Sequence, residues 1–314
     1  MPRTVSTDFI EDLKNTTGIL YPIYERIRKD DNLMIAIRRN YINVYYRGGN
    51  ILKLTEQSKN SYQAFFDNRY ITTGQTISLL STINKQDDAR NWVDSFQALK
   101  LTMDYYFSAN CKPEREFQQL VARENNDSTI SNESEYFITD IEFADTELGA
   151  RFDMLAIRWL ASQRKNGCNC RPALIEMKYG DGALCGNSGL FKHLKNIDDF
   201  IASDRYAKLL LAMESQFNQL DQLNLLKFNP CSNQTKVKLD VNVKPEVIFI
   251  LANHNPRSSV LKTLIENTEI VKYEHSERYD LRFYVAKFAG YGMHSDCMQT
   301  VDELRSLLKC QQAM

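Results

Sequence analysis

The sequence predicts an α/β (α+β) protein in which a central sheet flanked by helices follows a smaller N-terminal α+β lobe. At 314 residues the chain is longer than one core usually organises, so we expect two domains. A run of β-branched and aromatic residues near the N-terminus alternates as in a half-buried sheet. Further along, strand-like segments are interleaved with amphipathic helical segments, which is typical of a sheet covered by helices.

The N-terminal lobe, residues 1–110, is predicted to combine helices with a β-meander. Apolar residues at helical intervals predict one or two helices over residues 8–29. Residues 33–57 form the meander, whose two alternating runs are separated by a break at Gly48-Gly49-Asn50. Residues 76–109 are predicted to be helical, and the domain boundary follows them.

The alternation of the meander brings three arginines close to tyrosines that we expect to be exposed. Such a pairing can hold phosphates and stack bases, so it predicts a nucleic-acid contact. A polar outer face of a half-buried sheet accounts for the same pattern without any ligand. The arginines are Arg38, Arg39 and Arg47, and the tyrosines are Tyr41, Tyr45 and Tyr46.

The second domain, residues 111–314, is predicted to contain a sheet with helices before, between and after its strands. One segment, residues 245–254, is nearly all apolar and is typical of a buried central strand. The predicted order is a helix (113–126), three strands (135–145, 150–160 and 172–180), two helices (188–203 and 205–226), the buried strand, and then a helix, a strand and a helix (258–269, 280–290 and 297–310).

The composition limits the classes of protein. The formal net charge is −1 and the pI is about 6.5, so nucleic-acid binding must come from a local patch. No run approaches the roughly 18 apolar residues of a membrane span, and the N-terminus lacks a signal-peptide core, so we expect a cytoplasmic protein without a membrane partner. Seven scattered cysteines indicate reduced thiols.

Three charged residues stand out in the predicted strands of the second domain. Glu176 and Lys178 are two positions apart, so they share one strand face, and Asp153 is a single acid in an otherwise apolar strand. If the two strands are neighbours, Asp153 and Glu176 lie side by side and repel each other unless they share a divalent cation. We therefore expect Mg²⁺ or Mn²⁺, held by both carboxylates and a backbone carbonyl, with Lys178 orienting or deprotonating a water and offsetting phosphate charge.

In the form Arg151-Phe152-Asp153 followed by Ile175-Glu176-Met177-Lys178, this pattern resembles the PD-(D/E)xK nuclease superfamily. The resemblance covers roughly residues 113–290. It implies a restriction-endonuclease-like core with a mixed central sheet: a helix, three antiparallel strands, a helix and a further parallel strand. It also implies a metal-dependent nuclease, with DNA as the expected substrate and restriction or phage defence as the expected setting. Two features depart from the family, since Phe152 replaces the leading proline and the spacing to Glu176 is long.

The resemblance also suggests residues outside the central motif. Family members often have an acid on the first helix, and Glu116 is the expected third metal ligand, with Glu124 as its competitor. Many have a polar or basic residue on the helix after the third strand, which matches Lys192 and His193 as phosphate contacts. Cleavage of both strands by one active site per chain usually needs two chains, so a homodimer is the expected assembly.

Two alternatives to an active nuclease also fit the sequence. The domain can be a catalytically silent, nuclease-like module that binds nucleic acid or serves in assembly, although the set of Asp153, Glu176 and Lys178 is intact. Alternatively, the motif is a coincidence in a structural α/β protein, and Lys178 forms a surface ion pair with Asp153 or Glu176 that needs no metal.

Overall fold

A computed structural model describes residues 3–71, 77–127, 134–147, 149–166, 170–186, 189–228, 237–255, 258–286, 293 and 295–310. Over these residues the protein is α+β, with one antiparallel and one mixed five-stranded sheet. The chain divides into two compact units. The first unit comprises residues 1–123 and 215–226, and the second unit comprises residues 124–214 and 227–314. The division based on sequence differs from this one in placing residues 111–123 and 215–226 in the second domain.

The first unit contains an antiparallel sheet with the strand order β1-β2-β3-β4-β5. Arg47 and Gly48 connect β2 to β3 with φ angles of +48° and +70°, the left-handed pair that a two-residue hairpin turn requires. The helices predicted within residues 8–29 and the meander predicted over residues 33–57 are both present in this unit. The elements are α1 (Thr7–Lys14), α2 (Tyr21–Arg28), β1 (Leu33–Ile37), β2 (Tyr41–Tyr46), β3 (Gly49–Ser58), β4 (Ser61–Phe65), β5 (Thr82–Ile83) and α3 (Gln86–Ala109).

The helix predicted over residues 76–109 begins only at Gln86. Residue 76 lies outside the described residues, and residues 77–85 are not helical. Ile83 is fully buried and pairs with Tyr62, so this stretch adds a short edge strand to the sheet. The prediction was wrong here because a β-branched residue gains more from packing on the sheet than from one further helical turn.

The second unit contains a five-stranded mixed sheet with the order β10-β9-β8-β7-β6. Neighbours among β6, β7 and β8 pair antiparallel, whereas β9 pairs parallel with both β8 and β10. Every residue of β9 is buried, as its apolar sequence predicts. The elements are α4 (Pro113–Asn126), β6 (Tyr136–Asp145), β7 (Ala150–Arg158), β8 (Arg171–Tyr179), α5 (Leu190–Ile201), α6 (Arg205–Gln222), β9 (Glu246–Ala252), α7 (Val260–Ile265), α8 (Val271–Glu274), β10 (Asp280–Ala286) and α9 (Val301–Cys310). The unit boundary falls inside α4 and α6.

Four helices, α5, α6, α7 and α9, are shorter than predicted, and local hydrogen bonds account for the end of α7 and the start of α9. Asn267 has an extended backbone and accepts the Glu269 N–H, which separates α7 from a following 3-10 turn. The last helix begins at Val301 because Thr300 and Glu303 form a reciprocal capping box at its start. The strand predicted over residues 280–290 is described only as far as residue 286.

The helices agree with the lack of a membrane span in the sequence. Of those in the described part of the chain, none combines the length and the apolar character needed to cross a bilayer.

Candidate active site

The pairing of β7 with β8 brings Asp153 next to Glu176. Paired residues run from Arg158 and Arg171 to Met154 and Ile175, and Asp153 and Glu176 are the next pair along. The backbone pairing stops there, and the Asp153 carboxylate takes the place of the missing partner by accepting the Met177 N–H at 2.9 Å. A side chain thus satisfies a strand donor that would otherwise be unpaired.

Glu176 and Lys178 share one face of β8, and both side chains are buried. Only 2% of the Glu176 side chain and 5% of the Lys178 side chain are exposed, and Lys178 Nζ lies 3.7 Å from Glu176 Oε2. The alternative of a surface ion pair therefore does not describe this site. Burying two charged groups is costly unless each is well paired, and 3.7 Å is longer than a hydrogen bond.

His193 on α5 completes this cluster from the other side of the carboxylate. Its Nδ1 lies 2.7 Å from Glu176 Oε2, and its side chain is 27% exposed. Despite this short distance, the directions of the two groups do not meet the requirements of a hydrogen bond. Glu176 Oε2 is consequently a buried oxygen without a hydrogen-bond donor among the described residues. Such an atom in a native fold needs an explanation, and in a cleft lined by a second carboxylate a bound cation or water supplies one.

Asp153, Glu176 and His193 line one cleft of about 490 Å³ in the second unit, whereas Lys178 lies beside Glu176 and does not line it. Three carboxylates and two guanidinium groups contribute to its wall, so its acidic groups outnumber its permanent cations. A volume of this size is typical of a site for a small ligand or for part of a larger one. The lining residues that carry polar groups are Arg151, Asp153, Glu176, His193, Asn196, Asp199 and Arg205.

Glu116 and Arg47 belong to the first unit, where they bind each other. Arg47 Nε lies 2.9 Å from Glu116 Oε1, and Arg47 Nη1 lies 2.9 Å from Asp104 Oδ1. The hydrogen bonds that Arg47 donates to Glu116 and Asp104 raise the pKa of its guanidinium. Glu116, which we predicted as a metal ligand, and Arg47, which we predicted as a phosphate contact, are therefore both engaged in a salt-bridge network.

The other predicted contacts to nucleic acid differ in their exposure. The Arg38 side chain is buried and donates a hydrogen bond to the Tyr45 hydroxyl at 3.1 Å, and Tyr45 is buried rather than exposed. Arg39 is half-buried in the first unit, and Lys192 is exposed on α5 without lining the cleft. Of the predicted residues, the structure therefore brings together Asp153, Glu176, Lys178 and His193.

Sequence reasoning missed Arg151 and Arg205, which also line the cleft. Arg151 had a usable signal, since it lies two positions before Asp153 and so shares its strand face. Arg205 lies at the start of α6, far along the chain, and its sequence gives no such indication.

The carboxylates of the cleft suit a cation that keeps several of its water ligands better than one that is coordinated by protein side chains alone. Among the residues that the structure describes, no cluster of three or more His, Cys, Asp or Glu side chains is arranged to hold a metal. Mg²⁺, however, usually keeps several waters and is held by only one or two carboxylates together with substrate phosphate. Asp153 and Glu176, with the undonated Glu176 oxygen, match that donor set.

Comparisons of the chain with known protein families, with curated proteins and with solved structures found no match.

Proposed function

We propose that this protein is a metal-dependent nuclease of the PD-(D/E)xK kind that hydrolyses phosphodiester bonds in DNA. The observation that carries the proposal is the meeting of Asp153 and Glu176 at one cleft, with a buried Glu176 oxygen that lacks a hydrogen-bond donor and with Lys178 beside it. Two adjacent carboxylates and an amine are the groups that metal-assisted phosphodiester hydrolysis uses.

The order of elements supports a restriction-endonuclease-like core. Helix α4 precedes three antiparallel strands, helices α5 and α6 follow them, and β9 then joins β8 in parallel. This is the order that the family resemblance implies, with one additional helix before the parallel strand. Asp153 and Glu176 lie on the second and third strands, in agreement with the same pattern.

The charges of the cleft give a reason why such an enzyme needs Mg²⁺ or Mn²⁺. Asp153 and Glu176 place two negative charges where a phosphodiester would approach, and Lys178 beside Glu176 offsets about one of them. A divalent ion reverses that balance, and when bound it supplies a Lewis acid and a water of lowered pKa for attack on phosphorus.

The chain's own residues have distinct parts in this proposal. Asp153 and Glu176 would hold the cation, and the hydrogen bond from the Met177 N–H fixes the orientation of Asp153. Lys178 stays within 3.7 Å of Glu176, from where its ammonium limits the repulsion between the carboxylates and offsets charge that develops on the phosphate. Its burial keeps water away from the ammonium and so strengthens that electrostatic effect.

The test is cleavage of supercoiled plasmid, linear duplex DNA and single-stranded RNA with Mg²⁺, Mn²⁺ or EDTA. We expect metal-dependent cleavage of DNA, reduced more than about 100-fold in Asp153→Asn, Glu176→Gln and Lys178→Met, because supporting groups alone are worth roughly 10–100-fold. Glu266→Gln is the matched control, since Glu266 is an exposed acid of the same unit.

Either of two results would overturn the proposal. One is cleavage that persists in EDTA or in the Asp153 and Glu176 variants. The other is an absence of cleavage on every substrate together with no binding of Mn²⁺ in calorimetry, which would favour a catalytically silent module.

A further inference from the structure

Arg205 is held in a fixed orientation on the wall of the candidate active site. Its guanidinium carbon lies 5.4 Å from the centroid of the Phe200 ring, and its Nε donates a hydrogen bond to Ser203 Oγ at 3.2 Å. An arginine with its plane and one nitrogen already fixed loses little side-chain freedom when it binds a ligand.

Gly149 provides the space for this guanidinium. A Cβ atom at position 149 would lie 2.9 Å from Arg205 Nη1, closer than real Cβ contacts allow. The φ angle of +57° at Gly149 also favours glycine over other residues. The turn that precedes β7 therefore leaves room for an arginine from a helix more than fifty positions away in the chain.

The same packing connects Arg205 to the strand that carries Asp153. The ring of Phe200 packs edge-on against Phe152 with a centroid distance of 5.4 Å, and Phe152 directly precedes Asp153. Arg205, Asp153 and Glu176 line the same cleft. Arg151 adds a second guanidinium from the strand face that Asp153 occupies.

We propose that Arg205 binds a backbone phosphate of the nucleic acid and so positions the strand beside Asp153 and Glu176. This inference rests on the proposed nuclease function and assigns to it a positioning residue that the motif does not contain. The planar fork of a guanidinium matches two phosphate oxygens at once, which a lysine ammonium cannot do. The Phe200 ring, the Ser203 hydroxyl and the space beside Gly149 hold Arg205 on the wall of the cleft.

The experiment measures binding of a short fluorescein-labelled DNA duplex and of a single strand by anisotropy, with Ca²⁺ in place of Mg²⁺, between about 50 and 200 mM salt. Arg205→Ala is expected to weaken binding about 10-fold and to reduce the slope of log affinity against log salt by about 0.9, the value for one lost phosphate contact on a duplex. Arg205→Lys should keep the slope but not the affinity, since it retains the charge and loses the fork.

Two further variants test the reasoning behind Arg205. Lys208→Ala removes an exposed cation from the same helix that does not line the cleft, and it is expected to leave affinity and slope unchanged. Gly149→Ala should weaken binding in the same direction as Arg205→Ala, because the new methyl group displaces Nη1. Circular dichroism confirms that each variant is folded.

The outcomes separate this inference from the function on which it rests. Metal-dependent cleavage by the wild type, combined with unchanged affinity and slope in Arg205→Ala, would overturn the role of Arg205 and leave the nuclease standing. A wild type that binds DNA but cleaves no substrate and binds no Mn²⁺, with the slope lowered in Arg205→Ala, would support the phosphate contact and overturn the enzyme. A wild type that neither binds nor cleaves would overturn both.

Discussion

The buried pair of Glu176 and Lys178 makes a quantitative prediction about stability. With Nζ and Oε2 3.7 Å apart and side-chain exposures of 5% and 2%, Coulomb's law at an effective dielectric of about 20 gives an attraction of about 4.5 kcal/mol. Removing one partner of a buried ion pair typically costs about 3–5 kcal/mol, and His193, 2.7 Å from Glu176 Oε2, limits this cost when Lys178 is the residue removed. We therefore expect Glu176→Gln and Lys178→Met each to destabilise the second unit by about 3 kcal/mol.

The double variant is the informative measurement. Because Glu176→Gln/Lys178→Met leaves neither charge behind, its destabilisation should fall short of the sum of the single effects by about 2–3 kcal/mol. Urea unfolding is followed by tryptophan fluorescence in a Trp92→Phe background, where the buried Trp159 reports on the second unit alone. Single effects that simply add, within about 0.5 kcal/mol, would refute an interaction between the two charges.

Three further predictions concern the metal, a buried ion pair and a turn. Mn²⁺ at about 100 times its dissociation constant should stabilise the wild-type second unit by about 2.7 kcal/mol in urea titrations, and Asp153→Asn should lose most of this gain. Burial raises the pKa of Asp30, but the hydrogen bond and charge of Lys100 outweigh it and keep that pKa low. The resulting stability is present at neutral pH and lost in acid, so Lys100→Met should destabilise the first unit more at about pH 7 than at about pH 3, as acid and urea titrations would show. Gly48→Ala should cost roughly 1–3 kcal/mol in urea unfolding of the first unit, since φ is +70° and the new Cβ would lie 2.5 Å from the Arg115 backbone.

The strands of the second unit were predictable because their signals are local. β9 is apolar throughout, and β7 and β8 carry charges at isolated positions in apolar runs, so their boundaries follow from burial alone. The two-residue period and the antiparallel pairing of β7 and β8 allow Asp153 and Glu176 to be neighbours, but the register that makes them so, with Met154 opposite Ile175, comes from the structure.

The remaining parts of the site depend on how helices pack, which no local pattern encodes. His193 reaches Glu176 only because α5 places its ring within 2.7 Å of a strand residue. Arg47 and Glu116 are each reasonable ligands by residue type, yet a contact between positions 69 residues apart engages both. Side chains distant in sequence can satisfy each other's charge, and residue type alone does not show which partner is present.

Asp153 links the fold of the second unit to its proposed chemistry, and substitutions can separate these roles. Its Oδ2 accepts the Met177 N–H just past the last paired residues of β7 and β8, so the carboxylate closes the strand pairing and faces the cleft at once. Asp153→Ala leaves a strand N–H unsatisfied and should destabilise the second unit by about 1–3 kcal/mol, whereas Asp153→Asn keeps an amide oxygen as acceptor and should cost much less. Both variants should lose cleavage, because an amide oxygen has no charge to hold a cation. Equal stability of the two variants in urea would show that the hydrogen bond contributes nothing to the fold, and cleavage retained by Asp153→Asn would show that the carboxylate charge is not needed.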